Sequence, residues 1–582
     1  MLRPAVVLLA EGRALARDCR VGRNVFLDTA GVATEAEYKR RTVAAGRITQ
    51  HAHIGFRSIE RTCEAMAEVH RACAARGVTV DRFGVTLDWS MGYPAGLRAD
   101  RPRGTGIVLG GPDDFRRIAN AAPAATHFGD FVMGLPAAVE NTEAALAAGA
   151  TAIGNLGQYF TFRLPYWDDD CATTEATLVA LGLVAAQDAE VLVHSNLDDG
   201  FAGLFADVSS ALGMALVEKY IVEDLIGGRV SHCYGHHFTS PLTRLAFHQA
   251  LTGVSDTIGT MIFGSTVSYR STPAANYASL ASCLQADIWA LCRRRSGHAI
   301  NPVPVTENER IPDIDEIVDA QIFAARLVEH TRAAEALVNW RAVDDAAVAL
   351  VGGGRRFAHN VLAGLAEIGI DLSDAGEIML ALRRIGPKRL ERHFGAGNED
   401  RTEWAGRSAI VPAEWVQEIQ DAADRWAATL DTELTARIGA RSLKACIGTT
   451  DVHEHGKHLV ERGLAKLGVV AIDGGVSTDP ERLVGIAADR GADFIAIGTY
   501  NGIALRYACD VARCLARAGL DLPVCIGGRL NQVPEDSNSG LPVDVTDEIR
   551  ALGFIPCASL DDLVPLLRRL AEPSASRPGH GN

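Results

Sequence analysis

The run Asp451-Val452-His453-Glu454-His455-Gly456 carries the most specific chemistry in the chain. A neutral imidazole is a good ligand for a transition metal such as cobalt. A carboxylate two residues away can accept the other ring N–H, which fixes the tautomer and strengthens the donor. Asp451 and His453 can form that pair. Gly456 would let the backbone turn closely against a bulky planar ligand before a helix begins. Alone, the string Asp-x-His-x-x-Gly is weak, because a histidine near a strand end is more often an ordinary polar loop residue. Downstream, Gly527 and Gly528 close the apolar run PVCIGG, where absent side chains could admit part of a ligand or simply end a strand in a turn.

Other residues also invite a chemical reading. SHCYGHHFTS offers His232, Cys233, His236 and His237, a set that could line a polar pocket or hold zinc, though neither an H-E-x-x-H pattern nor a carboxylate accompanies it. Asn196 and Asp198 in HSNLDDG follow an apolar strand and are pocket candidates by position; the other reading is a helix N-cap loop. Arg57, Arg98 and Arg163 could each clamp a carboxylate or be plain surface arginines. Gly352 to Gly354 in LVGGGRRF lack the Lys-Ser/Thr of a phosphate loop and read as a turn.

These residues need elements to place them. Over residues 25–330 short apolar runs (VDRFGVTLDW, THFGDFVMG, EVLVHSN, RVSHCYG, DTIGTMIFG) alternate with helical patterns such as SIERTCEAMAEVHRACAARG and VENTEAALAAGA, each ending in glycine. Repeated βα units on this scale predict an α/β fold of the TIM-type (β/α)8 barrel kind, in which residues just past the strand ends face the active site. Residues 1–24 read as an N-terminal arm and 331–440 as a helical connector. Across 441–572 the alternation restarts in a tighter rhythm, with LKACIG, LGVVAID, FIAIGTY, PVCIGG and GFIPCA, which predicts a flavodoxin-like, Rossmann-type doubly wound sheet. His453 then falls on the first βα loop, where such sheets bind ligands. The last ten residues, 573–582, read as a disordered tail.

With 582 residues, 48% of them hydrophobic, the chain has material for two or more cores. A net charge of −15 argues against nucleic acid and for a small-molecule partner. The twelve cysteines include no CxxC pair and suit a reducing cytoplasm. No cleavable signal peptide is expected, and no run approaches the ~20 apolar residues of a membrane span.

Residues 443–571 resemble the B12-binding domain of cobalamin-dependent mutases and methyltransferases, whose motif is DxHxxG, then SxL, then GG. The first and third parts match. In place of SxL the chain reads Gly498, Thr499, Tyr500, so Thr499 is left to supply the hydroxyl. The resemblance implies that His453 ligates the cobalt of cobalamin, with Asp451, Gly456, Thr499, Gly527 and Gly528 around the cofactor.

Residues 45–330 are similar to the catalytic subunit of glutamate mutase (methylaspartate mutase), as if its cobalamin subunit were fused behind it. The resemblance rests on NLGQYFTFRLPYWDD, with Pro165 and Tyr166, and on PVTENERIPDIDE, with Glu307 and Pro312. It implies an adenosylcobalamin-dependent radical carbon-skeleton mutase, an isomerase. Tyr166, Glu307 and His127 would then be catalytic, joined by Asn196 from its strand-end position. Departures mark the substrate. His127 stands where an arginine is expected, Met91 and Tyr93 where another is, and the glutamate before the tyrosine is missing, Gln158 or Asn155 being nearest. Glutamate is therefore a doubtful substrate. The rival expectations are a corrinoid-dependent methyltransferase, with residues 315–440 as a cap, and a cobalamin sensor or store. A homodimer is expected by analogy with other barrels that carry a mobile cofactor domain.

Overall fold

The computed structural model describes residues 1–269, 272–401, 403–450, 454–500, 502–533 and 542–572. It divides into two compact units, Met1–Leu164 with Asp168–Glu414, and Pro165–Trp167 with Trp415–Asn582. Among the described residues no helix is long and apolar enough to cross a membrane.

The first unit contains β1 (His51–Ile54), β2 (Arg82–Val85), β3 (Ala125–His127), β4 (Ala152–Ile153), β5 (Leu192–Asn196), β6 (Val230–Cys233), β7 (Met261–Ile262) and β8 (Ala299–Ile300). All pairings are parallel and follow chain order, as β1-β2-β3, β4-β5-β6 and β7-β8. Isolated parallel bridges, Tyr234 to Ile262 and Gln50 to Ile300, join β6 to β7 and β8 back to β1. Parallel neighbours need long crossovers, and helices supply them. The helix Ile59–Ala74 is one: Ser58 caps it by accepting the N–H of Arg61, and Ala65, Met66, Val69 and Cys73 recur at helical spacing on its buried face.

Two expectations need correction here. Gly352 to Gly354 form no turn; they lie inside the helix Trp340–Glu367. Their smallness serves packing, because this helix crosses Val208–Lys219 so closely that a methyl at Gly213 would sit 2.6 Å from Phe357 and 2.8 Å from the carbonyl of Gly354. The connector also divides differently. Helices up to Pro387–Phe394 belong to the first unit. The helix Thr432–Ala440 and the tryptophan of Glu414–Thr429 instead pack on the C-terminal sheet, where Trp426, Leu434 and Ile438 share a core with Leu443, Ala445 and Ile447.

The second unit holds β9 (Lys444–Thr449), β10 (Val470–Gly475), β11 (Phe494–Thr499), β12 (Val524–Gly528) and β15 (Ile555–Cys557), plus an antiparallel pair, β13 (Asn531–Gln532) and β14 (Val543–Asp544). The parallel sheet has the order β10-β9-β11-β12-β15. Strands covered on both faces must be apolar at successive positions. Cys446, Ile495, Ile497 and Ile526 accordingly fill the core on one face, while Ala445, Ile447, Phe494 and Ala496 fill the other.

Gly213→Ala should destabilise the first unit by about 1–3 kcal/mol, since neither backbone nor ring can easily retreat. The check is a lowered urea midpoint for that unit; an unchanged midpoint would contradict the close crossing.

Candidate functional site

In the first unit the loops after β3, β4, β5 and β6 bring Asp130, Asn155, Asn196, Asp198, Asp199, His236 and His237 together. Asn155 is the hub. Its amide N–H groups donate to Asp130 at 3.1 Å and Asp199 at 2.8 Å, while its oxygen accepts the N–H of Asn196 at 2.8 Å and of Gly157 at 2.9 Å. The Asn196 amide also donates to Asp199, at 2.8 Å. Burial, then the charges of Asp130 and Asp198, hold the Asp199 carboxyl well above the usual range; burial raises Asp130 as well, and the two acids hydrogen-bond to each other. Such a pair keeps a proton.

Asp198 behaves oppositely. Burial pushes it up, but the hydrogen bond from His237 and the N–H of His236 outweigh that and hold it below the usual range. Arg244 fixes this loop: fully buried, it grips Asp287 with Nε and Nη2 at 2.8 and 2.7 Å and donates to the carbonyls of Gly235, Phe238 and Phe263. His232 points elsewhere, to Glu218 at 3.1 Å. Both carboxylate partners of this histidine run come from other elements, so local sequence could not reveal them. Among the described residues no group of three His, Cys, Asp or Glu side chains is arranged to hold a metal ion.

Of the residues singled out from sequence, Asn196 joins this cluster. His127 lies within β3, with Nδ1 3.4 Å from the Ala152 carbonyl and its ring 4.4 Å from that of His194. Burial, then nearby Arg82, keeps it far below its ordinary pKa, so it is neutral and no substitute for a guanidinium. Glu307 is exposed in the turn after β8, its N–H donating to the Pro304 carbonyl. Tyr166 belongs with the second unit, where its N–H donates to Asp479 at 3.0 Å and its hydroxyl to Glu481 at 3.1 Å. Arg98 is turned to the carbonyls of Met91, Tyr93 and Leu109, and Arg163 pairs with Asp170 at 2.8 Å.

In the second unit Asp451 and His453 lie outside the described residues. Their flanks are β9 and the helix His455–Lys466. Gly456 lies in the first turn of this helix, and a methyl built on it would meet none of the described residues within 4 Å. At the neighbouring strand ends the Thr450 hydroxyl donates to that of Thr499 at 3.0 Å. Gly527 and Gly528 have a backbone reason of their own: added methyls would strike the carbonyls of Cys557 at 2.9 Å and Thr499 at 2.3 Å, and Gly528 has φ 100°. Among the described residues Ser477 Oγ and Asn531 Oδ1 are buried without a hydrogen-bond partner.

The helix His455–Lys466 also carries a charged layer. Lys457 sits 2.7 Å from Glu461 and 3.0 Å from Asp473, and His458 lies between Glu454 at 3.0 Å and Glu461 at 3.3 Å. Burial opposes the charge on His458, yet the two carboxylates raise its pKa; Glu461, against burial, is brought down to about 2 by His458 and Lys457.

No protein-family profile matches the chain, and no curated protein matches it. Among solved structures it is similar to a novel cobalamin-binding protein from Desulfitobacterium hafniense DCB-2, at 16% identity over 26% of this chain and 78% of that one, with a TM-score of 0.19.

The charged layer makes stability depend on pH. The His458 contribution is complete below its ordinary value of 6.5 and is lost as pH rises through the raised native value. That of Glu461 is complete above 4.5 and is lost as pH falls through about 2. Trp415 stacks on His458, ring centroids 5.6 Å apart, and an imidazolium quenches indole emission. Tryptophan fluorescence should therefore rise with a midpoint above pH 6.5, a step that His458→Gln removes; a midpoint at or below 6.5 contradicts the pairing.

Proposed function

We propose that the chain is an adenosylcobalamin-dependent radical carbon-skeleton mutase, with the first unit a (β/α)8 barrel and the second its cobalamin-binding domain. One observation carries this: Asp451-x-His453-x-x-Gly456 follows the first strand of a parallel sheet ordered 2-1-3-4-5, the loop where doubly wound sheets take their ligands. The eight parallel strands in chain order, with bridges from β6 to β7 and from β8 to β1, support the barrel.

The described rim fits such a cofactor. The Thr450–Thr499 hydroxyl pair stands at the strand ends, and among the described residues Ser477 and Asn531 retain unpartnered oxygens. His453 would hold the cobalt, and Asp451 would accept its other ring N–H. When bound, adenosylcobalamin supplies a weak cobalt–carbon bond whose homolysis starts radical chemistry. The protein's share is positioning and exclusion of water. Asn155 and Asn196 orient the acid pair, which offers the substrate a polar contact at the strand ends. No guanidinium stands in this cluster as described, which supports a small-molecule substrate other than glutamate.

His453→Ala should weaken cobalamin binding by roughly tenfold or more, read from the visible spectrum on titration. Asp199→Asn should leave binding intact and lower turnover of the preferred substrate, found from a panel of linear and branched acids and amino acids. Unchanged affinity and spectrum in His453→Ala would contradict the ligand assignment. Turnover only with methylcobalamin and a methyl donor would replace the mutase with a methyltransferase.

A further inference from the structure

A cavity of about 180 Å³ lies at the N-terminal ends of β1 and β8, opposite to the strand ends that carry Asn196 and Asp199. Three guanidinium groups line it: Arg47 on the approach to β1, Arg295 after the helix Pro273–Arg293, and Arg332 in the last turn of the helix Ile314–Ala333. Arg47 is partly neutralised, with Nη1 2.7 Å from Asp81 and Nη2 donating to the Tyr38 hydroxyl at 2.7 Å. Arg332 donates to the carbonyl of Gly46 at 2.9 Å. Arg295 has no hydrogen-bond or ion-pair partner among the described residues. Glu335 is the carboxylate of the lining. Thr49, 2% exposed, also lines the cavity, and its hydroxyl has no partner among the described residues.

Like charges gathered at one small cavity repel unless an anion joins them. A carboxylate is planar and one arginine fork satisfies it; a tetrahedral oxyanion accepts hydrogen bonds from several directions. The arginines here come from three separate elements that line the same cavity. We infer that this cavity binds a small oxyanion of the phosphate type, free or as the terminal group of a phosphate ester. Arg295 and Arg332 supply the charge, Arg47 closes one side, and the buried hydroxyl of Thr49 finds its missing acceptor. The site is independent of the cobalamin reading, since every group in it belongs to the first unit.

The test is isothermal titration of the full chain with inorganic phosphate and with AMP, at ionic strength matched with chloride. Saturable phosphate binding is expected, with Arg295→Ala and Arg332→Ala each weakening it about tenfold or more. Both side chains are exposed, so folding is retained, and Thr49→Val gives a second, shape-conserving variant that should weaken binding less. Tighter binding of AMP than of phosphate assigns the ester as occupant, and the reverse assigns the free ion; either supports the site. Absence of saturable phosphate binding, or equal affinity in the Arg295→Ala/Arg332→Ala double variant, would overturn it.

Discussion

Two carboxyl groups buried side by side with no cation between them cannot both be charged, and this constraint shapes the mouth of the first unit. Asp130 and Asp199 resolve it by keeping a proton, with the Asn155 amide donating to both. That leaves an acid pair with a shared proton at the ends of parallel strands. One residue away, Asp198 stays charged because His237 and two backbone N–H groups face it. Adjacent aspartates thus take different protonation states from different surroundings. Arg244, gripping Asp287 and three loop carbonyls, holds the geometry that makes the difference.

The second unit resolves a similar problem with charge in place of a shared proton. Lys457 and His458 sit beside Glu461 of the same helix, Glu454 at its N-terminus and Asp473 of β10, so each has its counter-charge. The helix is thereby anchored to β10 through Asp473.

Much of the second unit was legible in the sequence. The central strands β9, β11 and β12 are covered on both faces and read as continuous apolar runs, the edge strands β10 and β15 are more exposed, and all five fall where the apolar runs stand. The first unit hid more. β4 and β8 span two residues each, too short for any periodicity, while the equally short β7 falls within the run DTIGTMIFG; β1 is His51-Ala-His-Ile, whose histidines face a polar interior with Arg82 and Glu35 and break the apolar pattern. The triple glycine was misread because glycine marks turns and close helix crossings alike; only Gly213 on the facing helix tells them apart. Asn196 and Asp198 stand where their strand-end position in the sequence puts them. Asp130, Asp199 and Glu218 were missed, since what makes them matter is a partner on a distant element.

The central claim is that His453 ligates the cobalt of a bound cobalamin. Electron paramagnetic resonance of the full chain loaded with cob(II)alamin, with and without ¹⁵N-labelled histidine, tests it most directly. A cobalt–histidine bond predicts nitrogen superhyperfine splitting that changes with the label and vanishes in His453→Ala. Splitting indifferent to the label in the wild-type protein, or no bound cob(II)alamin at all, would contradict the account.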